Sequence, residues 1–269
     1  MKKPNNPIYR HIKLFTLAAC LLMCGLSFAQ NGNTESKTKK TATDQKTEKK
    51  YRVYLDVLHG QKFWNNPDNM VENAGNHLER VRYMTSQLES TVSAAEASIG
   101  YFESGITSKS LKDCDLLFIH IPSAQYSEKE VAAIIKYIKR GGSLFLVMDV
   151  DYWSSLEQTN VNDLIRPFDI QFGGNSADTL SGGHTKAGEI TNEPIKVIYH
   201  GARTLTGGTP FCFNDQSEEP FGVYKELENG GKIIVMGDGM VSVYMNAWAE
   251  VQGYPSQEFM RKVFRWLLK

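Results

Sequence analysis

The clearest pattern in the chain runs from Asp113 to Asp151. A continuous apolar run, Leu116 to Ile121, is interrupted only by His120 and stopped by Pro122, which predicts a strand buried on both faces. Ser127 and Glu130 then stand three apart, the spacing at which a hydroxyl and a carboxylate satisfy the free N–H groups of a helix start. Val131, Ile134, Ile135 and Ile138 follow at helical spacing, and Arg140-Gly141-Gly142 closes the helix. Leu144 to Met148 is a second buried strand with Asp149 and Asp151 at and just past its end. Strand, helix and strand of these lengths make a βαβ unit with a right-handed crossover.

The flanking segments extend the alternation. Arg52 to Leu58 reads as a first strand ending at His59-Gly60-Gln61, and Met70, Ala74, Leu78, Val81, Met84 and Leu88 trace one helical face. Ala97 to Phe102 is a short strand. Tyr152 to Phe168 reads as one or two helices, and Asp169 to Phe172 as a brief extended piece. Gly173 to Glu193 has no clear periodicity, which predicts either a functional loop or a small β excursion. Short strands are expected at Lys196–Tyr199 and Pro210–Phe213. A hairpin is expected around Glu228-Asn229-Gly230-Gly231, and a final helix from Ser256 packs through Phe259, Met260, Val263 and Leu267. Together these predict an α/β domain over 51–269: a doubly wound, mostly parallel sheet with a C-terminal hairpin and a closing helix.

Composition changes the picture mainly before residue 51. Met1 to Lys13 carries four basic residues and no acid, Leu14 to Phe28 is apolar, and Ser27-Phe28-Ala29 is a small-x-small site, so 1–29 reads as a secretory signal peptide. Leu17-Ala18-Ala19-Cys20 also has the form of a bacterial lipobox, which would anchor the chain to a membrane through Cys20; the long apolar run past Cys20 favours export without a lipid. Residues 30–50 read as a disordered linker with six Lys against three acids. Of 30 basic and 30 acidic residues in all, 20 and 27 remain for 51–269, a net charge of −7, which excludes nucleic-acid binding by the folded part. Of four cysteines only Cys114 and Cys212 follow the signal, and neither lies in a C-x-x-C motif. One disulfide or two isolated buried thiols both fit. No cofactor motif is present, since Gly182-Gly183-His184 lacks the Lys-Ser/Thr of a phosphate-binding loop.

Several short motifs carry a resemblance: Asp56-x-x-His59-Gly60, Gly105-Ile106-Thr107, Leu111-x-Asp113-Cys114-Asp115, Pro122, Tyr126-Ser127-x-x-Glu130, Gly141-Gly142-Ser143 and Gly231-Lys232 to Gly237-Asp238. With the strands around them, these resemble the class I glutamine-amidotransferase-like, flavodoxin-like fold in its non-amidotransferase branch. That branch includes an exported Bacteroidota family, the extracytoplasmic domains of gliding-type transporters and the amino-terminal domain of an intraflagellar transport protein. The resemblance spans about Arg52 to Lys269 and implies architecture more than activity. True amidotransferases place a cysteine on a strained G-x-C-x-G elbow; this chain has neither G-x-C-x-G nor G-x-S-x-G, so a cysteine or serine nucleophile is not expected.

In such sheets ligands bind beyond the carboxyl ends of the strands. That places His59, Gln61, Ser123, Asp149, Asp151 and Asp238 as candidates. His59 oriented by Asp149 or Asp238 would make a general base for carbohydrate hydrolysis, or each residue would simply satisfy local backbone groups. Trp64, with Phe63, Trp153 and Tyr152, would stack on a sugar ring or form a lid over the core. His184 in the loose segment would cover a bound ligand. His120, inside a strand, reads as a core histidine. No metal site is expected. The expected ligand set is His59, Gln61, Trp64, Asp151 and His184, with a glycan or an envelope protein as partner. Three functions remain open: an exported ligand-binding or accessory domain, a carbohydrate hydrolase, and a protein-interaction domain.

Overall fold

A computed structural model describes residues 50–61, 63–71, 78–176, 182–197, 201–239, 241 and 256–269. The expected signal peptide, nearly all of the linker, and the expected helical residue Ala74 lie outside these.

Among the described residues, nine strands form one sheet in the order β2-β1-β3-β4-β11-β10-β9-β6-β7. Its first half is β2 (Ala97–Phe102), β1 (Tyr51–Asp56), β3 (Leu116–His120), β4 (Ser143–Val147) and β11 (Lys232–Met236), all parallel to their neighbours. β3 and β4 are buried at every position, because both faces are covered, as their unbroken apolar runs require. One face carries α1 (Leu78–Ser93) and α4 (Ser256–Leu268), whose Met84, Leu88, Phe259 and Phe264 join Val53, Leu55 and Phe118 in one core. The other carries α2 (Glu128–Ile138) and α3 (Val161–Ile165) over Leu117, Ile119, Leu144 and Val235. The sheet is therefore doubly wound. The chain leaves β1 on one side for β2 and returns on the other for β3, so the topological switch lies between β1 and β3.

The second half is antiparallel. β10 (Pro220–Glu226) pairs with β11 through the expected hairpin, and β9 (Thr209–Asn214), β6 (Gly183–Thr185) and β7 (Lys196–Val197) follow outward. β5 (Gln171–Asn175) and β8 (Arg203–Thr206) form a separate antiparallel pair. The segment without periodicity thus contributes the end of β5 and all of β6, a β excursion. Tyr152–Phe168 is less helical than its pattern predicts, with turns up to α3 and then one 3-10 turn, Arg166–Phe168. Cys114 and Cys212 are both free and buried, in the cores on opposite faces of the sheet, so no disulfide joins them.

Candidate functional site

The carboxyl end of β1 carries a hydrogen-bonded cluster built almost entirely from the motif residues. Asp56 is fully buried. The Leu58 N–H donates to its Oδ1 at 2.9 Å, and the Tyr126 hydroxyl donates to its Oδ2 at 2.5 Å. His59 Nδ1 lies 3.0 and 2.9 Å from the two oxygens. A carboxylate can only accept, so Nδ1 carries a proton. On the other side of the ring, His59 Nε2 faces Glu130 Oε2 at 3.5 Å, and the imidazole stacks on Tyr126 at 3.9 Å between centroids. Burial alone would push the imidazole pKa down; the hydrogen bond and charge of Asp56, joined by Glu130, outweigh it and hold the pKa above its ordinary value.

Glu130 is fixed in turn by the expected capping box at the start of α2. Ser127 N–H and hydroxyl donate to Oε2 at 3.0 and 2.8 Å, and Ser127 Oγ accepts from Glu130 N–H at 3.3 Å. Ile106 N–H reaches Oε1 at 3.3 Å. Burial would raise the Glu130 pKa, but these donors and His59 lower it below the usual carboxylate range. The cluster therefore ties the end of β1 to the segment after β2 and to the first turn of α2. Beside it, a groove of about 570 Å³ is lined by Ile106, Thr107, Ser127, Lys129, Glu130 and Lys136, so its acidic wall is a carboxylate already engaged on both oxygens.

The switch-point crevice between β1 and β3 is bridged by its own loops. His59 C=O accepts from Ser123 N–H and Ala124 N–H at 2.8 and 3.2 Å, and Gly60 C=O accepts from Ser123 Oγ at 2.8 Å. Gly60 has φ +69°, and a Cβ there would lie 2.3 Å from Ser123 Oγ, so the approach needs glycine. Ile121, the first residue beyond β3, sits at φ +45°, an unusual conformation for a β-branched residue. Its side chain is fully buried. The strained strand end thus presents no nucleophile.

The β3 end is dry. His120 is enclosed by Trp64 at 4.4 Å, Phe63 at 5.7 Å and Phe118 at 5.8 Å, all edge-on. Its Nε2 donates to Gly239 C=O at 3.1 Å, while Nδ1 has no hydrogen-bond partner among the described residues. That is the neutral tautomer, and burial lowers the pKa to about 3, only partly offset by Gly239. Trp64 is 1% exposed, which corrects its expected role: it is a lid over His120 and Phe118, with no ring face open to a sugar. Phe63 meets Trp153 at 5.2 Å, and Trp153 meets Tyr152 at 5.0 Å. Tyr152 is 85% exposed, so this ladder of rings leads from the lid to solvent.

At the ends of β4 and β11, Asp149 accepts from Val150 N–H at 2.7 Å and Gly239 N–H at 3.0 Å, and Asp238 accepts from Val241 N–H at 2.9 Å. Burial raises the Asp149 pKa to about 7 against those donors and the charge of Arg203. The expected pairing of His59 with Asp149 or Asp238 is therefore corrected. β3 separates β1 from β4, which puts the β1 and β4 ends about 10 Å apart at the usual strand spacing. His59 is served instead by Asp56 and Glu130. Both partners stand within the quoted motifs, and the i, i+3 spacing of Asp56 and His59 was the available signal.

Asp151 is held by Arg203, whose guanidinium also donates to Ser154 C=O at 3.0 Å and lies 3.5 Å from Gly173 C=O. The Arg203 hydrogen bond lowers the Asp151 pKa, and Asn175 Nδ2 donates to its Oδ2 at 2.9 Å. Arg203 is 2% exposed and occupies an inward position of β8, between Ala202 and Leu205. Only its inward strand phase signals it in the sequence. Gln61 is half-buried, and its amide atoms have no hydrogen-bond partner among the described residues. His184 lies on β6, in the antiparallel half, with Nδ1 2.7 Å from Asp215 and Nε2 3.7 Å from Glu218, and does not join His59. Burial pushes the Cys114 thiol up to about 12 and raises that of Cys212 as well, so neither is a ready nucleophile. No three His, Cys, Asp or Glu side chains converge as a metal site among the described residues.

A family model described as the IFT52 GIFT domain matches residues 82–180. Among solved structures, the mmIFT52 N-terminal domain superposes with a TM-score of 0.60 at 17% identity, covering 81% of this chain and 97% of that one. Cytoplasmic Protein STM3548 from Salmonella typhimurium gives 0.52 at 10% identity, over 80% of this chain and 98% of that one. A putative gmp synthase subunit a protein from Thermoplasma acidophilum gives 0.45 at 10% identity, over 81% and 94%. No curated protein sequence matches. At these identities the first two likenesses establish the fold, and of the expected resemblance it is the intraflagellar transport domain whose family model matches, over residues 82–180.

Proposed function

We propose that this chain is an accessory domain that binds another protein at the carboxyl edge of its parallel sheet. The observation that carries the reading is the bridged switch-point crevice. Where the fold would place a small ligand, His59, Gly60, Ser123 and Ala124 hydrogen-bond to one another. The surface that remains is the aromatic ladder ending in Tyr152, a residue type enriched in interface hot spots. The GIFT-domain match supports an accessory role over a catalytic one. The basic and apolar opening residues support export, which would place the partner in the cell envelope.

The test is a photo-cross-linking phenylalanine analogue at position 152 of the full chain, expressed in the cell that makes it. The partner it captures is then purified and its affinity measured. Tyr152→Ala is expected to weaken that binding about 30-fold, the effect of one hot-spot tyrosine, with an unchanged melting temperature. Equal affinity of wild type and Tyr152→Ala would overturn the reading. So would the absence of any cross-link together with a melting-temperature rise in the presence of oligosaccharides.

A further inference from the structure

At the opposite edge of the sheet, where β11 begins, a groove of about 310 Å³ lies against the last two turns of α4. Lys262, Arg265 and Lys269 line it at helical spacing, together with Lys232 from β11 and the half-buried ring of Trp266. Glu189 is the one acid among the described residues that line it. Lys232 is engaged: its Nζ donates to Trp266 C=O at 3.2 Å, lies 5.0 Å from the Trp266 ring and stands 3.7 Å from Glu226. Lys262, Arg265 and Lys269 have no acidic partner within 4 Å among the described residues.

Cations in the last turn of a helix commonly answer its free carbonyls. Here two of these carbonyls are taken by other groups, that of Trp266 by Lys232 and that of Leu267 by Ser143 Oγ at 2.7 Å. The remaining three cations gain from the helix dipole but repel one another, with no acid within 4 Å among the described residues to offset it. Around them, residues 51–269 carry a net −7. A long polyanion such as a nucleic acid would run from this groove onto a repelling surface, whereas a short acidic segment would not. The chain's own linker, with six Lys against three acids, is of the wrong sign.

We infer that this groove docks a short acidic segment of a partner protein, its carboxylates on Lys262, Arg265 and Lys269 and one apolar side chain against Trp266. The site is distinct from the Tyr152 edge and does not depend on it. The experiment is fluorescence anisotropy of the full chain with a labelled octapeptide of seven glutamates and one leucine. Lys262→Glu with Arg265→Glu is expected to weaken binding at least tenfold, and raising the salt from 50 to 200 mM should weaken the wild type. Lys129→Glu with Lys136→Glu, the same charge change at the other groove, should leave it unchanged. Arg265→Glu alone, at an exposed position, reads the same effect should the double variant fail to fold. The inference is overturned if the peptide does not bind, if both double variants weaken it equally, or if phosphatidylglycerol vesicles bind while the peptide does not.

Discussion

The ends of β1 and β3 are neighbours, and each places one histidine at the carboxyl edge of the sheet, yet the two are held in opposite states. His59 meets a carboxylate on either side of its ring, so its pKa rises above the ordinary value. His120 meets aromatic edges and one carbonyl, so it keeps a single proton and its pKa falls to about 3. Residue type alone gives neither state. What surrounds the ring decides it, and in both cases the surroundings engage the histidine: one is a strut between two carboxylates, the other part of an aromatic core.

The contrast is broken most severely at Asp56. Asp56→Ala leaves His59, the Tyr126 hydroxyl and the Leu58 N–H without their acceptor, and an expected loss of about 3–5 kcal/mol is read by urea unfolding. Tyr126→Phe removes only the hydroxyl donated to that carboxylate and is expected to cost about 1.5–3 kcal/mol by the same measurement.

The two histidines should also pull stability in opposite directions with pH, each by up to about 1.4 kcal/mol per pH unit. His59 binds its proton more tightly folded than unfolded. Its contribution is therefore complete below the unfolded value near 6.5 and is lost as pH rises through the raised folded value. His120 binds its proton less tightly folded. Its contribution is complete above about 6.5 and is lost as pH falls toward about 3. In unfolding midpoints measured from pH 4 to 9, His59→Gln should flatten the fall above about pH 6.5, and His120→Phe should remove the rising contribution between about pH 4 and 6.5. Asp149, with its pKa raised to about 7, loses its contribution as pH rises from about 4 to 7, so it offsets the His120 rise over that range and leaves the midpoint of His120→Phe falling with pH there.

Smaller still, Ser127→Ala removes the hydroxyl of the capping box and is expected to lower stability by about 1 kcal/mol in urea.

The parallel half of the sheet was legible because buried strands and amphipathic helices write different periods into the sequence. Leu116–Ile121, the Ser127/Glu130 cap and Leu144–Met148 fall where those periods put them. The antiparallel half was less so: β7 lies within an expected strand, but β6 is three residues long, too short to show alternation, and β8 carries a buried arginine at an inward position. At the site, position along the strands identified His59, Asp149 and Asp238 as strand-end residues. It did not identify their partners, which depend on strand order. Because β3 lies between β1 and β4, His59 turns to Asp56 and to Glu130 on α2, which no linear spacing reveals.

The account rests most directly on the charge of the two rings in the intact protein. Imidazole resonances of His59 and His120, assigned by substitution, would be followed by NMR from pH 4 to 9. The prediction is a His59 midpoint above 6.5 and no transition for His120 anywhere in that range. A His59 midpoint below 6.5, with the ring neutral at pH 7, would contradict it and return His59 to the role of a poised general base.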